Sequence, residues 1–579
     1  MNFKDSRAIM PLNGKWESCL DPDGQKAEVM LSGHPFPYWR KVDIPSDLAH
    51  AFPEQPHYEG ICWYKKNFEI PAAMRGQRLV LHFEAVNYIS SVFINGQFIG
   101  RSEQGYLPFE FDVTNHVSDG TNVLLVMVNS AVKPGQLPSV FYWKNAGGII
   151  RDVLLYATHN AYIAQAYVTA GQDGKADFCI QASGDVPARA VIAIDIFDKD
   201  AAKVSSAKTP VSDNGDGTCI QTALDHVCKW SPESPSLYRA EVRLLSEDGA
   251  MLDMVEINYG YRTIETANGK ILLNGEPIFL KGFNRHEDHP ESGGAASHQA
   301  VDEDFQRIKE SGANFIRMCH YPHDSYELDV ADRLGLILLV EIPLNSLLVP
   351  WGTVITAEGQ WIDQSYWNSK DALSRMIARD RSHPSVCIWS VSNECNEEVV
   401  AVNEINNALV QLAKKLDPSR LCAHVSMYPW GDASNYIYKQ DDIICINTYV
   451  SFGNRIHALS NKREVDKNAP DQRIRGLLAR LKEYYPGKPI VMTEFGYATG
   501  HARDGIEAEA MQAEVIKSEY AKYREHIAGA ALWIYADHPW PVTYKETTME
   551  LSTYGVLNRD RSPKKAFEEY SKLMKGGCQ

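Results

Sequence analysis

The chain lacks any apolar run long enough to cross a membrane or act as a secretory leader. Its opening, MNFKDSRAIMPLNGKW, is mixed and polar, and apolar stretches such as Leu336 to Val340 fall far short of about 20 residues. A protein without a targeting segment, working in the cytoplasm and away from membranes, is expected. Cysteine is sparse and odd in number: eleven in 579 residues, scattered from Cys19 to Cys578 with no CxxC pair. That excludes zinc ribbons and disulfide-dense secreted scaffolds, and leaves reduced thiols as the simple reading. Basic charge is also short, with 58 Lys+Arg against 74 Asp+Glu and a net charge of −16. Such a surface repels phosphate backbones and anionic headgroups, so no nucleic-acid or membrane partner is expected. There is no low-complexity segment, and 44% hydrophobic with 23% charged residues excludes disordered and fibrous classes.

What is present is enough length for three or four folding units of about 100–200 residues each. Residues 1–158 read as strands: RLVLHFEAV, SVFINGQFIG with Asn95-Gly96 as a hairpin turn, and NVLLVMVNS. An antiparallel jelly-roll β-sandwich is expected there. Residues 159–262 continue in that manner with AVIAIDIFD, the turn DNGDG and YRAEVRLLS, a length that suits an immunoglobulin-like sandwich. From 263 to 579 strand-like runs alternate with helical ones, which a (β/α)8 TIM barrel requires. Eight strands are expected to begin near 278, 314, 337, 387, 421, 444, 490 and 530.

In such a barrel, reactive side chains sit where strands end at their C-terminal side. The fourth expected strand, VCIWSVSN, runs into Glu394, and the seventh, PIVMT, runs into Glu494. Two carboxylates converging from opposite sides of a mouth suit acetal hydrolysis. One protonates the departing oxygen and the other attacks the anomeric carbon, with retention when they stand about 5–5.5 Å apart. Glu394 then needs a raised pKa, and Glu494 must stay ionised.

The runs RDRSHPSVCIWSVSNE (379–394), NFIRMCHYPHDSYELDVADRLGLILL (314–339), GFNRHEDHP (282–290) and VMTEFG (491–496) resemble glycoside hydrolase family 2. LNGKW, WYKKNFEIP and YLPFEFDVT in the N-terminal part extend the resemblance over nearly the whole chain. The resemblance implies a retaining exo-β-glycosidase of the β-galactosidase or β-glucuronidase kind, with Glu394 as acid/base and Glu494 as nucleophile. It implies that Asn393 donates to the sugar 2-hydroxyl, and that Arg317 and Tyr449 hold Glu494. His286, His320 and Asn447 are expected at the glycone, and Trp533 as the floor of its subsite, with the Trp533–Ile534 bond a candidate cis peptide. No cofactor and no metal ligand set is implied; a carbohydrate substrate and a homo-oligomer are.

Departures bear on the sugar. Where β-glucuronidases carry an Asn-x-Lys that grips the carboxylate, this chain has Ser552 and Tyr554, neither cationic. Counting back from Arg151 puts Tyr142 where an acidic glycone contact stands in such enzymes. Met318 and Ser382 are minor departures. Loop candidates for substrate contact are His501, Arg503, His538, Trp540 and Lys545, and Arg503 or Lys545 could supply a different carboxylate clamp. The alternatives left open are a pentosidase or arabinosidase, a uronidase with such a clamp, a transglycosylase, and a non-catalytic glycan-binding protein.

Overall fold

The computed structural model describes residues 7–32, 36–131, 135–138, 143–212, 217–346, 360–397, 399–427, 436–449, 469–499, 505–540 and 551–576, without side chains at 360–363, 469–473 and 505–507. The first stretch of chain folds into two facing antiparallel sheets. A four-stranded sheet runs Ala8–Pro11, Val153–Thr158, Arg78–Phe83, Phe109–Asp112; a six-stranded one runs Arg40–Ile44, Gly14–Asp21, Ile61–Glu69, Thr121–Asn129, Ile89–Ile94, Gln97–Ser102. Alternate residues such as Leu79, Leu81, Phe83 and Val92, Ile94 turn inward and share one apolar core. The Ile89–Ile94/Gln97–Ser102 hairpin turns on Asn95 and Gly96, whose φ values of 52° and 79° are the left-handed pair that a two-residue turn demands.

A second pair of sheets follows, of three strands (Ala161–Ala170, Lys175–Gly184, Thr218–Ala223) and four (Lys203–Pro210, Val191–Phe197, Tyr238–Leu245, Met251–Tyr259). Ile192, Ile194, Ile196, Phe178 and Tyr259 fill the space between them.

The remainder closes into a parallel eight-stranded barrel: Leu280–Arg285, Phe315–Met318, Ile337–Glu341, Val386–Asn393, Leu421–Met427, Ile444–Asn447, Ile490–Phe495 and Gly529–Leu532. These strands are buried on both faces, which is why they read as unbroken apolar runs rather than as alternating ones. Helices between them start and stop where their termini are satisfied. Ser297 accepts from the Ala300 amide to cap His298–Glu310, and Asp324 caps Ser325–Leu334, which stops at Gly335 in the left-handed region. A short three-stranded sheet, Ile264–Ala267, Lys270–Leu273 and Glu276–Ile278, packs Ile264, Ile271 and Leu273 against Phe315, Ile337 and Leu421 at the strand starts. The end of the barrel away from the strand C-termini is thereby plugged. Among the described residues, no helix is long and apolar enough to cross a membrane.

The N-terminal sheets and the barrel are pinned together beside the mouth. Buried Arg151 donates to Glu287 at 2.8 Å, to the Pro322 carbonyl at 2.8 Å and to the Tyr106 carbonyl at 3.0 Å.

Candidate active site

Six of the eight barrel strands deliver polar side chains to one cluster at their C-terminal ends. Asn284 comes from the first strand, Arg317 from the second, Glu341 from the third, Asn393 from the fourth, Asn447 from the sixth and Glu494 from the seventh, while Glu394 and Tyr449 lie just beyond the fourth and sixth. Glu494 is 3% exposed, and each of its oxygens is engaged: Arg317 Nη1 donates to Oε1 at 2.5 Å and the Tyr449 hydroxyl to Oε2 at 2.5 Å. Gly496, two residues on, has no room for a side chain, because a Cβ there would lie 2.3 Å from the Trp533 carbonyl oxygen.

Arg317 is wholly buried and spends its guanidinium on four partners. Besides Glu494 it donates to Glu341 at 3.0 and 3.1 Å, to Asn393 Oδ1 at 2.7 Å and to Asn284 Oδ1 at 3.0 Å. Glu341 also accepts from Ser390 Oγ at 2.6 Å and lies 2.9 Å from His320 Nδ1. Burial works against ionising Glu341, yet the Arg317 charge and the His320 contact hold its carboxyl below the usual carboxylate range.

Glu394 sits at φ +50°, a left-handed conformation uncommon outside glycine, which turns its side chain off the strand line. Asn447 Nδ2 donates to its Oε1 at 2.7 Å and is itself oriented by Thr493 Oγ1, which donates to Asn447 Oδ1 at 2.9 Å. Burial and, after it, the negative charge of Glu494 push the Glu394 carboxyl up to about 8. Asn393 gives its oxygen to Arg317 and one amide hydrogen to Asn345 Oδ1 at 2.8 Å, which leaves one N–H for a ligand.

The remaining wall is aromatic. The Trp533 ring stacks on His320 at 5.3 Å and meets His286 edge-on at 5.5 Å, and its bond to Ile534 is cis, as is Cys319–His320. Tyr321 O–H accepts from the Glu287 amide at 3.1 Å and so directs its own proton to His286 Nδ1 at 3.3 Å. That assigns the ring proton of neutral His286 to Nε2, which has no partner among the described residues. Burial keeps His286 well below its ordinary range, and lowers His320 as well. With Nδ1–H of His320 given to Glu341, its Nε2 is left as an acceptor 4.0 Å from Glu494. The two imidazoles therefore offer one donor and one acceptor.

Of the loop candidates, His538 joins this wall, 4.8 Å from the His286 ring and 6.0 Å from Trp533; Trp540 lies behind it at 6.4 Å. His538 is 2% exposed, both its ring nitrogens lack partners among the described residues, and burial pushes it down to about 4. It pairs across a short two-stranded ladder with Ser552, whose buried hydroxyl is equally unpartnered. Tyr554 packs edge-on against Tyr449 at 5.7 Å. Tyr142, His501, Arg503 and Lys545 lie outside the described residues.

Two contributors escaped the sequence reading. Glu341 ends the run LILLVE, so the strand-end rule that singled out Glu394 and Glu494 applied to it equally. Trp143 arrives from the N-terminal sheets, 5.1 Å from His286 and 5.4 Å from His320, and no spacing within the barrel could have announced it.

His286, Cys319 and His320 bring possible metal donors within 4.8 Å of one another. The Cys319 thiol, however, donates to the Arg285 carbonyl at 3.2 Å and is pushed well up by burial, which keeps it protonated. At Glu287, His323 and Glu327 the guanidinium groups of Arg151 and Arg285 already occupy the cation's role.

Comparison with known proteins matches the whole domain series. Residues 264–576 match the family model described as glycosyl hydrolases family 2, TIM barrel domain; residues 9–159 match glycosyl hydrolases family 2, sugar binding domain, and 161–262 the model described as glycosyl hydrolases family 2. A β-galactosidase of Thermoanaerobacter pseudethanolicus is 32% identical over 410 residues, 69% of this chain and 53% of that one. A β-glucuronidase of Paenibacillus borealis is 26% identical over 598 residues, covering 97% of this chain and 96% of the relative. The chain thus spans about half the length of that β-galactosidase and almost all of the β-glucuronidase. In fold, a β-glucuronidase from Ruminococcus gnavus solved with D-glucaro 1,5-lactone superposes with a TM-score of 0.87 at 23% identity, over 99% of this chain and 98% of the other. With its barrel matched from end to end, and two carboxylates held at its mouth, the chain belongs to glycosyl hydrolases family 2.

Proposed function

We propose that the protein is a retaining exo-β-glycosidase that removes terminal sugars by double displacement. One observation carries this reading: at a single barrel mouth, Glu494 accepts from a guanidinium and a phenol while Glu394 is pushed up to about 8. The first is a carboxylate aligned as a nucleophile, the second a carboxylic acid ready to donate. In the first step the Glu394 proton goes to the departing glycosidic oxygen as a Glu494 oxygen bonds to the anomeric carbon. Esterified Glu494 carries no charge, so of the two influences that raised Glu394 only burial remains, and its carboxylate takes a proton from water. That water then releases the sugar and restores both residues. The free N–H of Asn393 is assigned to the sugar 2-hydroxyl, Trp533 to the sugar's C–H face, and the neutral His286 and His320 to glycone hydroxyls.

The proposal includes a jelly-roll sandwich over 1–158, an immunoglobulin-like sandwich over 159–262 and the catalytic barrel over 263–579. It also includes a cytoplasmic location and a homo-oligomer, the latter tested by light scattering.

The test is release of nitrophenol from β-galactoside, β-glucuronide, β-galacturonide, β-glucoside, β-mannoside, α-L-arabinoside and β-xyloside substrates, with Glu494→Ala as the blank. Turnover of one glycone, lost in the variant, supports the proposal; silence from folded protein overturns it. A uronidase is the second reading, favoured by the end-to-end similarity to a β-glucuronidase. It requires a cation beyond neutral His538 and Ser552, and turnover confined to uronides would establish it.

The pH dependence has a defined sign. Since Glu394 must enter the reaction protonated, kcat/KM is expected to fall as pH rises through about 8, the value to which its carboxyl is pushed. The same shift means that folded protein binds this proton more tightly than unfolded chain, so this group's effect on stability worsens from the ordinary carboxylate range up to about 8. A pH series of kcat/KM checks the first, and melting midpoints against pH check the second.

His538 is assigned to glycone binding. His538→Phe keeps a ring against Trp533 but removes both nitrogens, and is expected to raise KM about tenfold, the equivalent of one hydrogen bond, with kcat changed less. Steady-state kinetics on the preferred glycoside check this, and an unchanged KM would remove His538 from the pocket's binding groups.

A further inference from the structure

Two thiols on the second pair of sheets stand apart from the other described cysteines. Cys179 lies in Lys175–Gly184 and Cys219 in Thr218–Ala223, and the two are directly opposite in the antiparallel register. Their sulfurs are 2.7 Å apart. Both reach solvent, Cys219 as an exposed residue and Cys179 as a half-buried one. Their neighbours in sequence, Phe178, Ile180 and Ile220, point the other way into the core, so the pleat puts both thiols on the outer face.

We propose that Cys179 and Cys219 form an oxidative modification site, closed to an intrachain disulfide by a small-molecule disulfide of the glutathione class. Directly opposed residues of antiparallel strands have Cα atoms about 4.5–5.5 Å apart, inside the span of about 4.4–6.8 Å that a disulfide needs, so closure asks no backbone movement. The third residue of the row is Tyr167, opposite Cys179 on the neighbouring strand, with the Arg381 guanidinium of the barrel 3.7 Å over its ring. Contact with Cys179 and, after it, burial push Cys219 up to about 11, so the pair reacts with Cys179 attacking first and Cys219 closing the bond.

The chemistry balances without a metal or cofactor. Cys179 thiolate attacks one sulfur of the small disulfide and expels a thiol; Cys219 then attacks the Cys179 sulfur and expels the second. The two cysteines lose two electrons and two protons, and both appear in the two thiols released. The bond would tie Thr218–Ala223, the edge strand of its sheet, to the central strand.

The test uses the full-length protein, incubated with oxidised glutathione, then alkylated and weighed intact. The expected result is protein with two fewer alkyl groups than the reduced control, the disulfide itself accounting for a further change of about 2 Da, and dithiothreitol before alkylation should restore both sites. Tryptic mapping should join peptides 176–189 and 209–229. Because the second peptide also holds Cys228, the link should persist in Cys228→Ser and vanish in Cys179→Ser and Cys219→Ser, where a glutathione adduct should accumulate on the remaining thiol. Stable glutathione adducts on wild-type Cys179 or Cys219, a link through Cys228, or both thiols still open to alkylation would each overturn the proposal.

Discussion

Glu494→Ala is expected to lower kcat by roughly 10⁴-fold or more, about 5 kcal/mol of barrier, while the protein stays folded. The size follows from the proposed role: without this carboxylate there is no covalent intermediate, and no other carboxylate of the cluster is placed to substitute. Glu341 is the nearest in chemistry, but Arg317, Ser390 and His320 occupy it. Rescue separates loss of the nucleophile from general damage. A small anion such as azide can enter the vacated space and attack the anomeric carbon, so azide should restore release of an activated aryl leaving group and yield a glycosyl azide of inverted configuration. Glu494→Gln offers a second readout, since it removes the charge that helps raise Glu394. The Glu394 titration should then move downward from about 8. An unmoved titration would mean that burial alone sets it.

Arg317→Met is expected to be the most destabilising single change in the barrel mouth. It strips the cation from two buried carboxylates at once, Glu341 and Glu494, which are 0% and 3% exposed. Leaving a buried charge without its partner typically costs about 3–5 kcal/mol, far more than the pair adds when intact. Urea denaturation and melting midpoint should both fall, and kcat with them, because Glu494 loses its orienting donor. A charge-matched double variant distinguishes this account from a simple packing defect. Glu341→Gln added to Arg317→Met removes one stranded charge and should recover part of the stability but little of the activity. If the double variant is no more stable than the single one, stranded charge is not the cause.

Much of the framework was legible in advance because each element declares itself locally. The eight barrel strands begin within two residues of the positions read from sequence, since fully buried parallel strands must be continuous apolar runs between polar helices. The Asn95-Gly96 turn was equally plain, since few residue pairs accept two successive left-handed conformations. Glu394 and Glu494 could be singled out because both lie at the C-terminal ends of barrel strands, where side chains gather at the mouth. Glu341 obeys that rule too, but its role rests on contacts with Arg317, His320 and Ser390 that only the closed barrel brings together.

The chain by itself, then, determined where strands and turns lie and which side chains stand at strand ends, since those depend on neighbours one to four positions away. The relations among those side chains were decided only by tertiary structure. Arg317 meets Glu494 across 177 positions, Trp143 reaches the mouth from another pair of sheets, and His538 ends with two unpartnered nitrogens because a ladder with Ser552 buries it. The raised pKa of Glu394 belongs to the same class. A carboxyl's proton affinity is set by the water it loses and the charges it faces, and both are properties of the closed barrel rather than of any stretch of sequence.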